Sequence, residues 1–264
     1  QEGADVNAQG KDGRTPLMYV SHYGYADLAQ LLIDKGADVD AQDKDGQTAL
    51  MLVFRYGHKK LKLAQLLIDN GADIEAQDKD GQTTLMSAIN NGHIGTVQLL
   101  LDKGVDLNFQ SKDGWTPLMG ASQEGYEDVA QLLIDNGADI NANTEGGWTA
   151  LMLASLFGHI DTVQLLIDKG ADLNAQGKDG WTGWTALMHA FQEGYADVTQ
   201  LLIDNGADIN DKTEDGLTPL MFASYYGYAD LAQFLIDNGA DVEAQDKDGW
   251  TVLMAAVDDG HTDT

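Results

Sequence analysis

The sequence has no cysteine and few basic residues among its 264 positions. The absence of cysteine excludes disulfides, thiolate metal sites and cysteine nucleophiles. No apolar run approaches the roughly eighteen residues that a membrane-spanning helix needs. Residues 1–5 show neither the basic nor the apolar region of a signal peptide. We therefore expect a soluble chain, with the cytoplasm as its compartment.

Positive charge is also scarce. The chain has 15 Lys and Arg but 43 Asp and Glu, which gives a formal net charge of −28. Contacts to phosphate depend on Lys and Arg, so this composition disfavours nucleic acid and anionic membranes as partners. A basic partner is the natural expectation. The alternative is that the acidic residues only keep a long surface soluble.

One dipeptide, Leu-Met, returns along the whole chain at steps of 33, 35, 33, 33, 36, 33 and 33 residues. It accounts for all eight methionines: Met18, Met51, Met86, Met119, Met152, Met188, Met221 and Met254. A period of this length is typical of stacked supersecondary units, none of which can bury its apolar face alone. Such stacks usually serve binding rather than catalysis.

Residues 10–42 show how one unit is built. Thr15 is predicted to cap a short first helix that begins at Pro16 and ends at Gly24. A second helix is predicted to start near Asp27, and a glycine to close it in the left-handed conformation. The residues that follow are predicted to run extended into the next Asp-Gly turn, as one arm of a hairpin.

The motif Asp-Gly-x-Thr-Pro-Leu, then Gly-His or Gly-Tyr, then Leu-Leu-Ile-Asp-Asn-Gly-Ala-Asp-Ile-Asn-Ala resembles the ankyrin repeat over essentially the whole chain. The resemblance implies an all-α solenoid of helix-turn-helix repeats with β-hairpin turns. The repeats would form a curved right-handed stack roughly 80 Å long. Hairpins and first helices would line its concave face. The single predicted domain, 1–264, divides into a partial repeat 1–9, full repeats 10–42, 43–77, 78–110, 111–143, 144–176, 177–212 and 213–245, and a partial repeat 246–264.

The chain departs from the family at the fourth position of Thr-Pro-Leu-His, where every repeat has methionine. The histidine of the family ties neighbouring turns together by hydrogen bonds, whereas a thioether fills gaps in a core. We interpret the methionines as scaffold and reject a copper-binding methionine row, since these side chains should be buried. Polar groups of the loops must then be satisfied by Thr hydroxyls or by water.

Two repeats carry insertions. Gly180-Trp181-Thr182 is duplicated as Gly183-Trp184-Thr185, which predicts a bulged hairpin tip with an extra tryptophan. The loop between the helices of the second repeat is two residues longer and contains Lys59, Lys60 and Lys62. This cluster indicates either a second partner contact or drift in a tolerant loop.

Positions that vary between repeats are the candidates for specific binding, because the positions that all repeats share form the scaffold. Aromatic side chains at exposed slots are typical of interfaces, and Arg and Lys stack on such rings. The predicted partner-binding residues are Tyr19, Tyr23, Tyr56, Trp115, Trp148, Leu153, Phe157, Trp181, Trp184, His189, Phe222, Tyr225, Tyr226 and Trp250. The alternative is that the tryptophans pack sideways onto neighbouring hairpins and stiffen the row.

The pattern predicts no catalytic, cofactor or metal site. The six histidines are scattered over different repeats without ligand spacing, and those in the Gly-His slot are interpreted as structural. The segment 43–46, Asp-Lys-Asp-Gly, resembles half of a calcium loop but lacks the remaining ligands, so it is interpreted as a hairpin turn.

The leading hypothesis is a non-catalytic protein–protein interaction module that binds a basic protein or peptide. One alternative is a passive spacer or an artificial scaffold without a natural ligand. Another is the targeting arm of a larger, enzymatic protein, because both ends fall inside a repeat. A monomer is expected, although the incomplete repeat 246–264 should leave Leu253 and Val257 poorly covered, with fraying or end-to-end packing as the result.

Overall fold

The computed structural model describes residues 3–55, 61–178 and 183–258. In these ranges the chain forms fifteen short helices. They are α1 Pro16–Tyr23, α2 Ala26–Asp34, α3 Ala49–Arg55, α4 Leu61–Asp69, α5 Thr84–Ile89, α6 Ile94–Asp102, α7 Pro117–Gln123, α8 Glu127–Asp135, α9 Ala150–Leu156, α10 Ile160–Asp168, α11 Ala186–Gln192, α12 Ala196–Asp204, α13 Pro219–Tyr225, α14 Ala229–Asp237 and α15 Val252–Asp258. Extended pairing in the described residues is confined to three isolated antiparallel bridges: Gln77 with Thr83, Asn143 with Thr149 and Gln245 with Thr251. The predicted all-α class is confirmed.

The first helix of each repeat is capped by threonine, as the sequence predicts. Thr15 Oγ1 accepts a hydrogen bond of 3.3 Å from the Met18 N–H, and Pro16 occupies the first helical position. The Thr15 N–H donates in return to the Met18 sulfur at 3.4 Å, so methionine stands where a capping box usually has Glu or Gln. The same threonine cap is present at Met51, Met86, Met119, Met152, Met188, Met221 and Met254.

The methionine row is part of the core. The first seven members are at most 4% exposed, whereas Met254 in α15 is 52% exposed. Leu253 and Val257 in the same helix are 73% and 68% exposed, which confirms that they are poorly covered. Fraying or self-association at this helix remains a prediction.

The chain divides into two compact units, and each is a stack of helix pairs. Unit 1 comprises residues 1–121 and 128–138, and unit 2 comprises residues 122–127 and 139–264. Within each unit, a backbone N–H of one hairpin tip donates to a carbonyl of the tip before it. Lys44 donates to Asp12 at 3.0 Å in unit 1, and Lys247 donates to Asp215 at 2.9 Å in unit 2.

These tips approach so closely that only glycine fits at the turn. Gly46 has φ +81°, and a Cβ there would lie 2.8 Å from the backbone nitrogen of Lys79. Gly183 has the same φ, and a Cβ would lie 2.7 Å from the backbone nitrogen of Glu214. The glycine is therefore needed both for its left-handed conformation and for the missing side chain.

A ladder of side chains that the sequence pattern does not indicate also joins successive repeats. In each case a side-chain oxygen accepts the N–H of the loop that follows the second helix of the next repeat, at 2.7–2.9 Å. The acceptor–donor pairs are Asn7–Asp38, Asp40–Asp73 and Glu75–Asp106 in unit 1, and Asn141–Asp172, Asn174–Asp208 and Asn210–Asp241 in unit 2. We call these pairs the amide ladder. Loop amides are thus satisfied by this ladder as well as by the threonine caps.

Across the described residues, no helix combines the length and the apolar character that crossing a membrane requires.

Candidate functional site

The densest aromatic packing of unit 2 surrounds His189 in α11. The ring of Trp148 stacks on the imidazole with centroids 4.6 Å apart, and the ring of Trp184 lies tilted against it at 5.2 Å. Trp184 also meets Phe222 of α13 at 4.6 Å. Trp184, Met188 and Phe222 form a buried cluster against which Leu217 packs.

Burial in this cluster changes the acid–base behaviour of His189. Removing the imidazole from water disfavours its charged form, so the pKa of His189 falls to about 4. The side chain is therefore neutral at physiological pH, and it acts as an aromatic ring rather than as a cation.

Next to this buried cluster lies an open groove of about 440 Å³ between α13 and the hairpin before α15. We call it the aromatic groove. It is lined by Leu217, Met221, Phe222, Tyr225, Tyr226, Asp246, Asp248, Trp250, Thr251 and Ala255. The rings at its rim are accessible, since Tyr225, Tyr226 and Trp250 are 38–43% exposed.

The rim tyrosines pack edge to face, with centroids 5.2 Å apart. Burial, followed by the nearby tyrosines and Glu193, raises the pKa of Tyr226, so its hydroxyl keeps its proton. The rim therefore offers neutral aromatic faces and hydroxyl groups.

The acidic wall of the aromatic groove is held by its own turn. Asp246 Oδ1 accepts hydrogen bonds from the N–H groups of Asp248 and Trp250 at 2.9 and 2.8 Å. This arrangement fixes the position of Trp250, while Asp248 remains exposed at the tip. An aromatic surface and a carboxylate thus face the same space.

Unit 1 presents a different surface, a polar groove of about 830 Å³ at the hairpin tips of the second and third repeats. It is lined by Asp45, Gln47, Arg55, Asp78, Lys79, Asp80, Gln82, Ser87, Asn90 and Asn91. Asn91 donates to the Phe54 carbonyl at 3.0 Å, which anchors one amide of this wall. Mixed charges and amides here favour polar contacts over ring stacking.

The aromatic residues predicted in the first repeat are exposed. The Tyr19 hydroxyl, on a ring 42% exposed, donates to Asp12 Oδ2 at 3.0 Å. This hydrogen bond raises the pKa of Tyr19, and the N–H of Arg14 lowers the pKa of Asp12. Tyr23 is 63% exposed, and its ring stacks with that of Tyr25 at 6.0 Å.

The predicted partner-binding residues therefore fall into four groups. Tyr19, Tyr23, Phe157, Tyr225, Tyr226 and Trp250 are exposed, and Trp115 and Trp148 are half-buried. Leu153, Trp184, His189 and Phe222 are at most 8% exposed, so they do not present surface to a partner. Tyr56, Trp181, Lys59 and Lys60 lie outside the described residues, whereas Lys62 is exposed.

Asp246 and Asp248 belong to the site, although the sequence pattern indicates only a turn at these positions. The Asp248 position is Asp in nearly every unit, and the Asp246 position is Asp also at 43 and 78. That turn chemistry is present, because Asp43 Oδ1 accepts the N–H groups of Asp45 and Gln47, each at 2.9 Å. In the ranges that the structure describes, no group of three or more His, Cys, Asp or Glu is arranged to hold a metal ion.

Comparison with protein families identifies the architecture. A family model described as ankyrin repeats (3 copies) matches residues 2–78, 56–144 and 142–213, and one described as ankyrin repeats (many copies) matches residues 202–256. The chain belongs to the ankyrin-repeat family. Ankyrin repeats are generally protein–protein interaction modules and are typically not catalytic. A comparison with curated proteins gives no match.

His159 of this ankyrin-repeat chain has the structural role interpreted from the sequence for the Gly-His slot, whereas His58 and His261 lie outside the described residues. His159 Nε2 lies 2.8 Å from the Gln123 carbonyl of the preceding repeat. In a later repeat tyrosine takes the same role, since the Tyr228 hydroxyl donates to the Gln192 carbonyl at 3.3 Å. Each ring also occupies the space that a glycine of the preceding repeat leaves open, Gly125 and Gly194.

Proposed function

We propose that this ankyrin-repeat chain is a non-catalytic module that binds a basic protein or peptide segment through its aromatic, acidic surface. The observation that carries the proposal is the aromatic groove, where exposed tyrosine and tryptophan rings lie beside carboxylates. Aromatic anchors in a partly desolvated pocket provide most of the affinity of typical interfaces. The net charge of −28 favours encounter with a basic partner.

The experiment is selection of a random peptide display library on the full chain, followed by measurement of affinity. We expect enrichment of peptides rich in Arg and Lys. The double variant Tyr226→Ala, Trp250→Ala should weaken their binding by about tenfold or more while leaving the helical circular dichroism unchanged. The two side chains are 38% and 43% exposed, so the helices should remain folded without them.

Ile236→Ala is the matched control. Ile236 lies in α14 of the same repeat as Tyr226 and is 42% exposed, but it does not line the groove. It should bind the selected peptides as the unchanged chain does. Enrichment of acidic peptides, or equal binding by the double variant, would overturn the proposal, and no enrichment at all would favour the passive spacer.

A second contact at Lys59, Lys60 and Lys62 also belongs to this proposal, for an acidic segment of a partner. Lys62 is exposed at the second residue of α4, and the other two lysines precede that helix in the sequence. Replacing all three lysines by Gln should leave the binding of basic peptides to the aromatic groove unchanged. It should abolish only the binding of acidic segments at the lysines.

A further inference from the structure

The aromatic groove exists because one position of the repeat changes from tryptophan to leucine. The residue directly after the turn glycine is Trp184 in one repeat, Leu217 in the next and Trp250 in the one after. Trp184 is only 8% exposed, because its ring closes onto Phe222. In the next repeat both partners are smaller, because Leu217 stands in the place of Trp184 and Ala255 in the place of Phe222. The space between them is therefore open toward Trp250.

The walls of this space combine two chemistries. The α13 side contributes apolar and aromatic surface, with Tyr225 and Tyr226 at the rim. The opposite hairpin contributes Trp250 and the exposed carboxylate of Asp248. Lys247 lies on the same turn but does not line the groove. A side chain that enters is therefore surrounded by rings and meets negative charge.

We propose that the aromatic groove is a subsite for one arginine side chain of the partner, an inference that rests on the function proposed above. A guanidinium is planar and weakly hydrated, and it stacks on aromatic faces while its N–H groups pair with a carboxylate. A lysine ammonium is compact and strongly hydrated, so apolar walls disfavour it. The subsite therefore selects arginine over lysine by the cost of dehydration and by shape.

The direct test uses small probes on the full chain, so that no partner needs to be known. N-acetyl-arginine methylamide, its lysine counterpart and its uncharged citrulline counterpart are titrated while the indole N–H signals of the five tryptophans are followed by NMR. Trp250 is assigned by the variant Trp250→Phe. We expect a saturable shift of the Trp250 signal with the arginine probe, about fivefold or more weaker binding of the lysine probe and no binding of citrulline. Equal shifts with arginine and lysine, or none with arginine, would contradict the subsite.

Two variants locate the subsite. Asp248→Asn removes the exposed carboxylate and should weaken the arginine probe severalfold. Its matched control is Asp215→Asn, which makes the same charge change at the equivalent exposed turn position one repeat earlier, outside the groove. Leu217→Trp restores the residue found in the preceding repeat and should fill the groove, abolishing the Trp250 shift with the helical signal retained. An equal effect of both Asn variants would reduce the subsite to general charge attraction and overturn it.

The outcomes separate this inference from the function on which it rests. If the library yields basic peptides whose affinity is unchanged when each arginine is replaced by lysine, the arginine subsite is wrong and the binding module stands. If the arginine probe binds at Trp250 but no basic peptide is selected, the subsite stands and the proposed partner class is wrong.

Discussion

His189 is a buried ionisable residue, with 2% of its surface exposed. It follows Met188 at a slot that holds Leu153 in the preceding repeat and Phe222 in the next. Two tryptophan rings flank its imidazole, and burial lowers its pKa to about 4. At this position an uncharged ring is therefore favoured and a charged group is disfavoured.

This environment predicts a pH-dependent stability. The folded pKa lies below the unfolded value of 6.5, so the stabilisation is fully present above pH 6.5 and is lost as the pH falls toward 4. Between about pH 7.5 and about pH 5 the loss should be on the order of 2 kcal/mol. Urea unfolding at the two pH values measures it.

His189→Phe is the control for this effect, because Phe222 shows that phenylalanine fits at the same slot. The variant retains all the carboxylates and should lack this part of the pH dependence. An identical pH dependence in both proteins would mean that His189 is not the group responsible.

The buried methionines provide a second test at the residue scale. Met51 is 1% exposed, so Met51→Ala should lower the free energy of unfolding by about 3 kcal/mol through lost burial and a cavity. Met254→Ala changes the same slot where the side chain is 52% exposed, and it should cost less than about 1 kcal/mol. Equal costs in urea unfolding would show that the row is not core.

At the scale of elements, two turn glycines separate the cost of the left-handed conformation from the cost of steric crowding between hairpin tips. Gly46 and Gly249 have φ +81° and +83°, but a Cβ would meet the Lys79 backbone at 2.8 Å in the first case and nothing within 4 Å in the second. Gly249→Ala should cost about 1 kcal/mol for the left-handed conformation alone. Gly46→Ala should cost a further 1–3 kcal/mol or so, because the tips must move apart. Similar thermal midpoints for the two variants would argue against the close approach.

The amide ladder predicts which loop amides are protected. Asn174 Oδ1 accepts the Asp208 N–H at 2.9 Å, so Asn174→Ala should speed hydrogen exchange at Asp208 and cost about 1 kcal/mol. Glu243→Ala is the matched control, since it changes the equivalent position of the next-to-last repeat, which has no following second helix among the described residues. Unchanged exchange at Asp208 would show that the contact contributes nothing.

The sequence predicts the features that depend on residues close along the chain. The Thr15 cap, the start at Pro16 and the left-handed Gly24 are all present, because each involves contacts within a few positions. Trp184 is buried and Trp250 is exposed, although both follow a turn glycine. Their burial depends on the ring that the next repeat supplies. The amide ladder is not predicted because its partners lie about one repeat apart. The turn hydrogen bonds of Asp246 are local, but the position of this turn beside α13 depends on packing between repeats.

On the scale of the whole molecule, the dominant quantity is the net charge of −28. Like charges repel in the folded chain, so salt should stabilise it by screening. Raising NaCl from about 0.05 M to about 0.5 M should raise the urea midpoint and at the same time slow association with a basic peptide. Sucrose at matched osmolality should slow association only in proportion to the viscosity that it adds. A fall of the urea midpoint with salt would mean that attractive ion pairs outweigh the repulsion.

The amide ladder also has a direction. In each of its pairs the acceptor lies in the earlier repeat and the donor N–H in the later one, as for Asn7 with Asp38 and Asn210 with Asp241. During synthesis the acceptors therefore leave the ribosome first, and each new repeat emerges onto a surface that already presents its partners. We expect a chain built in this way to fold from its N-terminus as it is translated, one repeat after another.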